Sequence, residues 1–123
     1  MLDFKFWMKE NKIQQLSFEF SLAIIELYKQ MVAANEYVVS KQLLRSSTSI
    51  GANVEEAIAA QSKADFVHKM ALASKEARES RYWLKLLDKS QLYKCDYTNY
   101  LNQIISIINI LTKIVKTSSS KGN

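Results

Sequence analysis

Apolar residues recur along this chain at helical spacing, in four stretches separated by short polar breaks. In the first, from about 13 to 34, Phe20, Ile24, Leu27 and Met31 form one stripe, which Phe18, Leu22 and Ile25 widen. Asn35-Glu36 marks a break. The second stretch, about 39 to 60, aligns Leu43, Ser47, Ile50, Val54 and Ala57, and Ser40 is placed to cap its start. Gly51 in its middle costs about 1 kcal/mol against Ala, so a close helix contact or a kink is expected there. The third, about 63 to 89, carries Phe66, Met70, Ala73, Ala77, Leu84 and Leu87. It opens with Ser62-Lys63-Ala64-Asp65, which has the form of a capping box with Asp in the place of Glu. The fourth, about 97 to 116, carries Tyr100, Ile104, Ile107, Leu111 and Ile114, with Asp96 placed as its cap.

Short links make sequential helices antiparallel neighbours, so the pattern predicts an all-α, up-down-up-down four-helix bundle over residues 11–117. Residues 1–10 then form an N-terminal extension and 118–123 a disordered tail. Phe4, Phe6 and Trp7 make the extension too apolar for an idle tail, and a neighbouring subunit is a natural place for it to pack. Composition supports helices over sheets: among 123 residues there is no Pro and only two Gly, too few turn formers for a sheet protein. Ile105, Ile108 and Val115 beside the core stripe of the fourth helix, like Phe18, Leu22 and Ile25 on the first, exceed what one small bundle buries. A helix apolar around most of its circumference is covered on two sides, which points to a homo-oligomer.

Cys95 is the only cysteine, which leaves no intramolecular disulfide and favours a reducing, cytoplasmic setting. The first residues lack a signal-peptide pattern, and no run reaches the ~18 apolar residues of a membrane span. Enzyme chemistry finds little support. Di-iron bundles need two Glu-x-x-His motifs, whereas His68 is the single histidine and Asp65-x-x-His68 the single loose match. No serine elbow or phosphate loop is present, and Glu55 and Glu56 point about 100° apart on a helix. No cofactor and no catalytic or metal site is expected. The net charge of +5 permits an anionic partner without requiring one.

Several segments are more specific. Ser17-Phe18-Glu19-Phe20-Ser21-Leu22-Ala23, the block Leu43-Leu44-Arg45-Ser46-Ser47-Thr48-Ser49-Ile50-Gly51-Ala52-Asn53-Val54-Glu55-Glu56-Ala57, then Ser62 to Phe66 and Lys75 to Leu84, resemble a known family. It is that of the four-helix-bundle proteins encoded in intervening sequences of bacterial 23S ribosomal RNA genes. The resemblance covers about residues 11–116. It implies a cyclic homo-oligomer, usually a pentamer, and no enzymatic activity. It also suggests kinship with the basic accessory variability determinant proteins of diversity-generating retroelements, which engage nucleic acid and a reverse transcriptase. RNA or DNA, and a nucleic-acid-processing protein, are therefore expected partners beside the chain itself. The family name records where some of its genes sit, and is weak evidence for binding ribosomal RNA.

Two clusters are candidates for function. On the third helix, Arg78, Lys85 and Lys89 fall on one flank, with Arg81 between them and the core. Leu72, Glu76, Glu79 and Trp83 fall on the other. In one reading the basic flank meets a phosphate backbone, with Trp83 or Tyr82 stacking on an unpaired base. In the other it meets the acidic flank of the next subunit, head to tail. On the second helix Arg45, Ser49, Asn53 and Glu56 line up at spacings of four, four and three. They form either a ligand groove or a polar seam that sets helix register, with Arg45 and Glu56 paired to charges on other helices.

Overall fold

The computed structural model of the protein describes the backbone of residues 4–120 and the side chains of residues 12–119. Four helices follow in order: α1 Phe4–Ala33, α2 Val39–Ile58, α3 Lys63–Ser90 and α4 Thr98–Ser120, with no strand among the described residues. Each packs on two others, α1 on α2 and α4, and α3 on α2 and α4, so the chain runs up and down around a square bundle. The four stripes converge on one core. Phe20, Ile24, Leu27, Met31, Leu43, Ile50, Val54, Ala57, Met70, Ala73, Ala77, Leu84, Leu87, Ile104, Ile107, Leu111 and Ile114 are all buried, and Phe66 and Tyr100 are half-buried against them.

The ends of the helices depart from the pattern in instructive ways. Helix α1 begins at Phe4, ahead of the first apolar stripe, and α4 runs on to Ser120. Residues 4–10, expected as an N-terminal extension, are helical, and residues 118–120 of the expected tail continue α4. Both additions lie at the same end of the bundle, and Ser118 is buried there. The side chains of Phe4, Phe6 and Trp7 lie outside the described residues. Ser40 does not cap α2. Its N–H, with those of Val38 and Val39, donates instead to the Glu36 carboxylate at 2.7–3.2 Å. Burial resists ionisation of Glu36, but these hydrogen bonds outweigh it and hold the carboxyl below its ordinary pKa.

Other termini follow local chemistry. Asn35 takes a left-handed conformation, φ 66°, which directs Glu36 N–H back to Met31 O and Asn35 N–H to Val32 O. That is the paired closure in which Gly or Asn is favoured. Ser62 Oγ accepts the Asp65 N–H at 3.1 Å to start α3, and Asp96 accepts both the N–H and the hydroxyl of Thr98 to start α4. Gln91, also left-handed, ends α3 and bridges the link by bonding Asp88 O and both backbone groups of Cys95. Tyr97, not part of any apolar stripe, is fully buried with its hydroxyl on Tyr93 O at 2.7 Å.

Helix α2 passes through Gly51 without interruption. A methyl group there would meet Ser17 Oγ at 3.6 Å and Ser21 Oγ at 3.8 Å, ordinary contact rather than a close approach. Gly51→Ala should therefore raise stability by about 0.5–1 kcal/mol in urea unfolding at fixed chain concentration. Replacing the cap has the opposite sign: Glu36→Ala should cost about 1 kcal/mol at neutral pH. Because the folded pKa of Glu36 is depressed, its contribution is complete above the carboxylate range and is lost as pH falls through it. The gap between wild type and variant should accordingly close in acid.

Candidate nucleic-acid interface

Helix α3 lies between α2 and α4, and the sequence gives its two flanks different characters. The flank toward α2 is acidic, and α2 answers it. Arg45 pairs through Nη2 with Glu79 Oε2, and its Nη1 lies 3.8 Å from Glu76 Oε1. Glu79 Oε2 also accepts the indole N–H of Trp83 at 3.1 Å. Three turns along, Lys69 pairs with Glu56 at 2.8 Å, a contact that raises the lysine pKa. Arg45 and Glu56 thus find opposite charges on α3. Ser49 and Asn53 do not cross to it: each bonds a carbonyl four residues earlier on its own helix, Arg45 O at 2.7 Å and Ser49 O at 2.9 Å.

Beneath the ion pairs lies a buried hydroxyl layer of which periodicity flagged only Ser47. Ser46 and Ser47 of α2 meet Ser80 of α3, Oγ to Oγ, at 2.8 and 3.2 Å. Ser21 Oγ of α1 reaches Ser47 O at 3.4 Å. The signal was present in the sequence, since Ser80 falls in register between Ala77 and Leu84, where an apolar residue is the usual choice.

The flank toward α4 is basic and is not answered. Arg78 Nη2 donates to the neutral Thr112 Oγ1 at 3.2 Å. Lys85 and Lys89 are exposed and Arg81 is half-buried. None of the four has an acidic partner among the described residues. Asp88 interrupts the row in sequence but follows Leu84 by four residues, which places it toward the core. Trp83 is packed against the core, whereas Tyr82 is 56% exposed. The two rings meet edge to face, 5.2 Å between centroids at 70°. Site formation therefore separates the residues into two groups. Arg45, Glu76, Glu79 and Trp83 join across α2–α3, with Glu56 on a second pair, while Arg78, Lys85 and Lys89 are exposed and Arg81 is half-buried on the other flank.

A second surface is apolar. Phe18 is 65% exposed and Leu22 is 50% exposed on α1, above a groove of about 430 Å³ lined by Ser17, Ser21, Thr48, Gly51, Ala52 and Glu55. Gln14 closes one end by bonding Glu55 at 2.7 Å. On α4, Ile105 is exposed as the pattern anticipates, but Ile108 is buried in the core and Val115 is half-buried. His68 is exposed, and no group of three metal-ligating side chains occurs among the described residues. Burial, and then Asp96, push the Cys95 thiol pKa up, away from an activated thiolate. Among the described residues no helix is long and apolar enough to cross a membrane.

Residues 9–113 match the family described as 23S rRNA-intervening sequence protein. The chain belongs to that family. The 23S rRNA-intervening sequence fold is shared with a crystal structure of a protein with unknown function from the S23 ribosomal protein family of Bacteroides thetaiotaomicron. That protein is 44% identical, with 88% of this chain and 98% of the other covered at a TM-score of 0.83. No curated protein matches significantly.

The two layers between α2 and α3 should differ in energetic weight. Arg45 and Glu79 are half in water, where an ion pair contributes about 0–1 kcal/mol and weakens with salt. Ser80→Ala strands buried hydroxyls and should cost about 1–2 kcal/mol. Urea unfolding of Ser80→Ala, Arg45→Ala and Glu79→Ala, with the double variant to isolate coupling, should show the serine as the larger loss at high salt.

Proposed function

We propose that this member of the family is a non-enzymatic, homo-oligomeric helical scaffold whose outward basic row on α3 engages a nucleic-acid backbone. The observation that carries the reading is the asymmetry of α3. Its acidic flank meets Arg45 within the chain, which pairs with Glu79 and lies 3.8 Å from Glu76, while Arg78, Arg81, Lys85 and Lys89 have no acidic partner among the described residues. A head-to-tail assembly held by acidic-to-basic contact loses half of its basis, because Glu76 and Glu79 already face a guanidinium. Self-association is better served by Phe18 and Leu22, two large apolar side chains exposed one turn apart on α1. A ring of five is what the family resemblance implies, and the chemistry of these faces agrees with a closed ring without requiring that number.

One observation favours a rival. Ile105 is 45% exposed and lies two turns from Thr112 on the same side of α4, next to the basic row. A purely protein-binding module would use that apolar residue together with the cations and bind no nucleic acid.

The test pairs two double variants with two measurements. Light scattering after size exclusion should give an assembly for wild type that persists in Arg78→Glu/Lys85→Glu and breaks in Phe18→Glu/Leu22→Glu. Anisotropy of labelled structured RNA and duplex DNA should show binding that weakens with salt, each neutralised phosphate adding about 0.9 to the log–log slope on duplex DNA. The charge reversal should remove that binding. If it instead breaks the assembly, or if wild type binds neither probe at low salt, the protein-binding reading replaces this one.

A further inference from the structure

The exposed tyrosine in the middle of the basic row has no task in the fold. Tyr82 lies four residues after Arg78, three after Glu79, three before Lys85 and four before Leu86, so its helical neighbours are two cations, one exposed leucine and a glutamate already paired with Arg45. It is nevertheless held in place. Its ring meets Trp83 edge to face, the Trp83 indole N–H is held by Glu79, and Glu79 is held by Arg45 of α2. A ring braced at one edge and more than half exposed presents a flat apolar surface to whatever stacks on it. Trp83, half-buried and committed through its N–H, is not available for the same task.

We propose that this row recognises single-stranded rather than duplex nucleic acid, with one unpaired base stacked on Tyr82 between phosphates held by Arg78 and Lys85. The proposal rests on the reading of the row as a phosphate-binding surface and names its ligand class. A row of cations alone accepts any phosphate backbone, because the charge pattern carries no information about pairing. A stacking platform does discriminate. In a duplex the base faces are occupied by neighbouring base pairs, whereas a single strand can turn one out onto an aromatic ring. Stacking is also tolerant of base identity, so the row should show strand preference without marked sequence preference.

Three labelled probes decide the matter: a single-stranded thymidine 16-mer, the same strand paired with its adenosine complement, and an abasic strand of equal length. Wild type should bind the thymidine strand about tenfold more tightly than either of the others. Tyr82→Ala should erase that advantage and leave duplex affinity unchanged, and Tyr82→Phe, which keeps the ring, should retain it. Equal affinity of wild type for all three probes, or a preference that survives Tyr82→Ala, overturns the stacking role while leaving the phosphate-binding row intact. Loss of all binding in Arg78→Glu/Lys85→Glu supports the row itself. Failure of wild type to bind any probe at low salt overturns both. Helical content measured by circular dichroism ensures that each variant is compared in its folded form.

Discussion

The close approach of α2 and α3 at Ser46, Ser47 and Ser80 is the contact from which the organisation of this protein follows. Three one-carbon side chains let two helices meet through hydroxyls rather than through bulk. That approach brings the next residues outward, Arg45 and Glu79, within pairing distance. Glu79 then fixes Trp83, and Trp83 borders Tyr82. A buried, short-range constraint thus propagates to the surface and sets which polar groups of α3 are consumed and which remain. The energetic weight lies inside, where unmade hydrogen bonds are expensive. The ion pair above it adds specificity of register more than stability.

The faces of the bundle divide their tasks accordingly. The α1–α2 side is apolar at Phe18 and Leu22, the α2–α3 side is a polar seam of ion pairs, and the other flank of α3 is cationic.

Most of the fold was legible from periodicity, because a bundle core repeats at the helical period and nearly every stripe residue is buried. What periodicity missed was local or polar. Glu36 replaced Ser40 as the cap of α2, since a longer carboxylate reached three N–H groups at once. Tyr97 escaped notice because it sits in a link and not in a stripe, yet its hydroxyl finds a carbonyl that makes burial affordable. Ile108, read as surplus, is buried in the core, since α4 packs on both α1 and α3 and a single stripe is narrower than the arc so covered. At the site, spacing placed Arg45 and the acidic flank of α3 on their helices but not opposite one another. Their meeting depends on the relative height of α2 and α3, which the serine layer sets and no pattern within one helix contains.

An even number of antiparallel helices has a further consequence. The start of α1 and the end of α4 emerge together, while the α1–α2 and α3–α4 links gather at the opposite end. Subunits related by rotation about an axis parallel to their helices would form a body with two unlike rims. One rim would carry every α1 start, α4 end and α2–α3 link, and the other every Asn35 and Gln91 turn. Anything tethered at the termini would be displayed on one side only, in as many copies as there are subunits, and would meet a multivalent target with the avidity that such crowding confers.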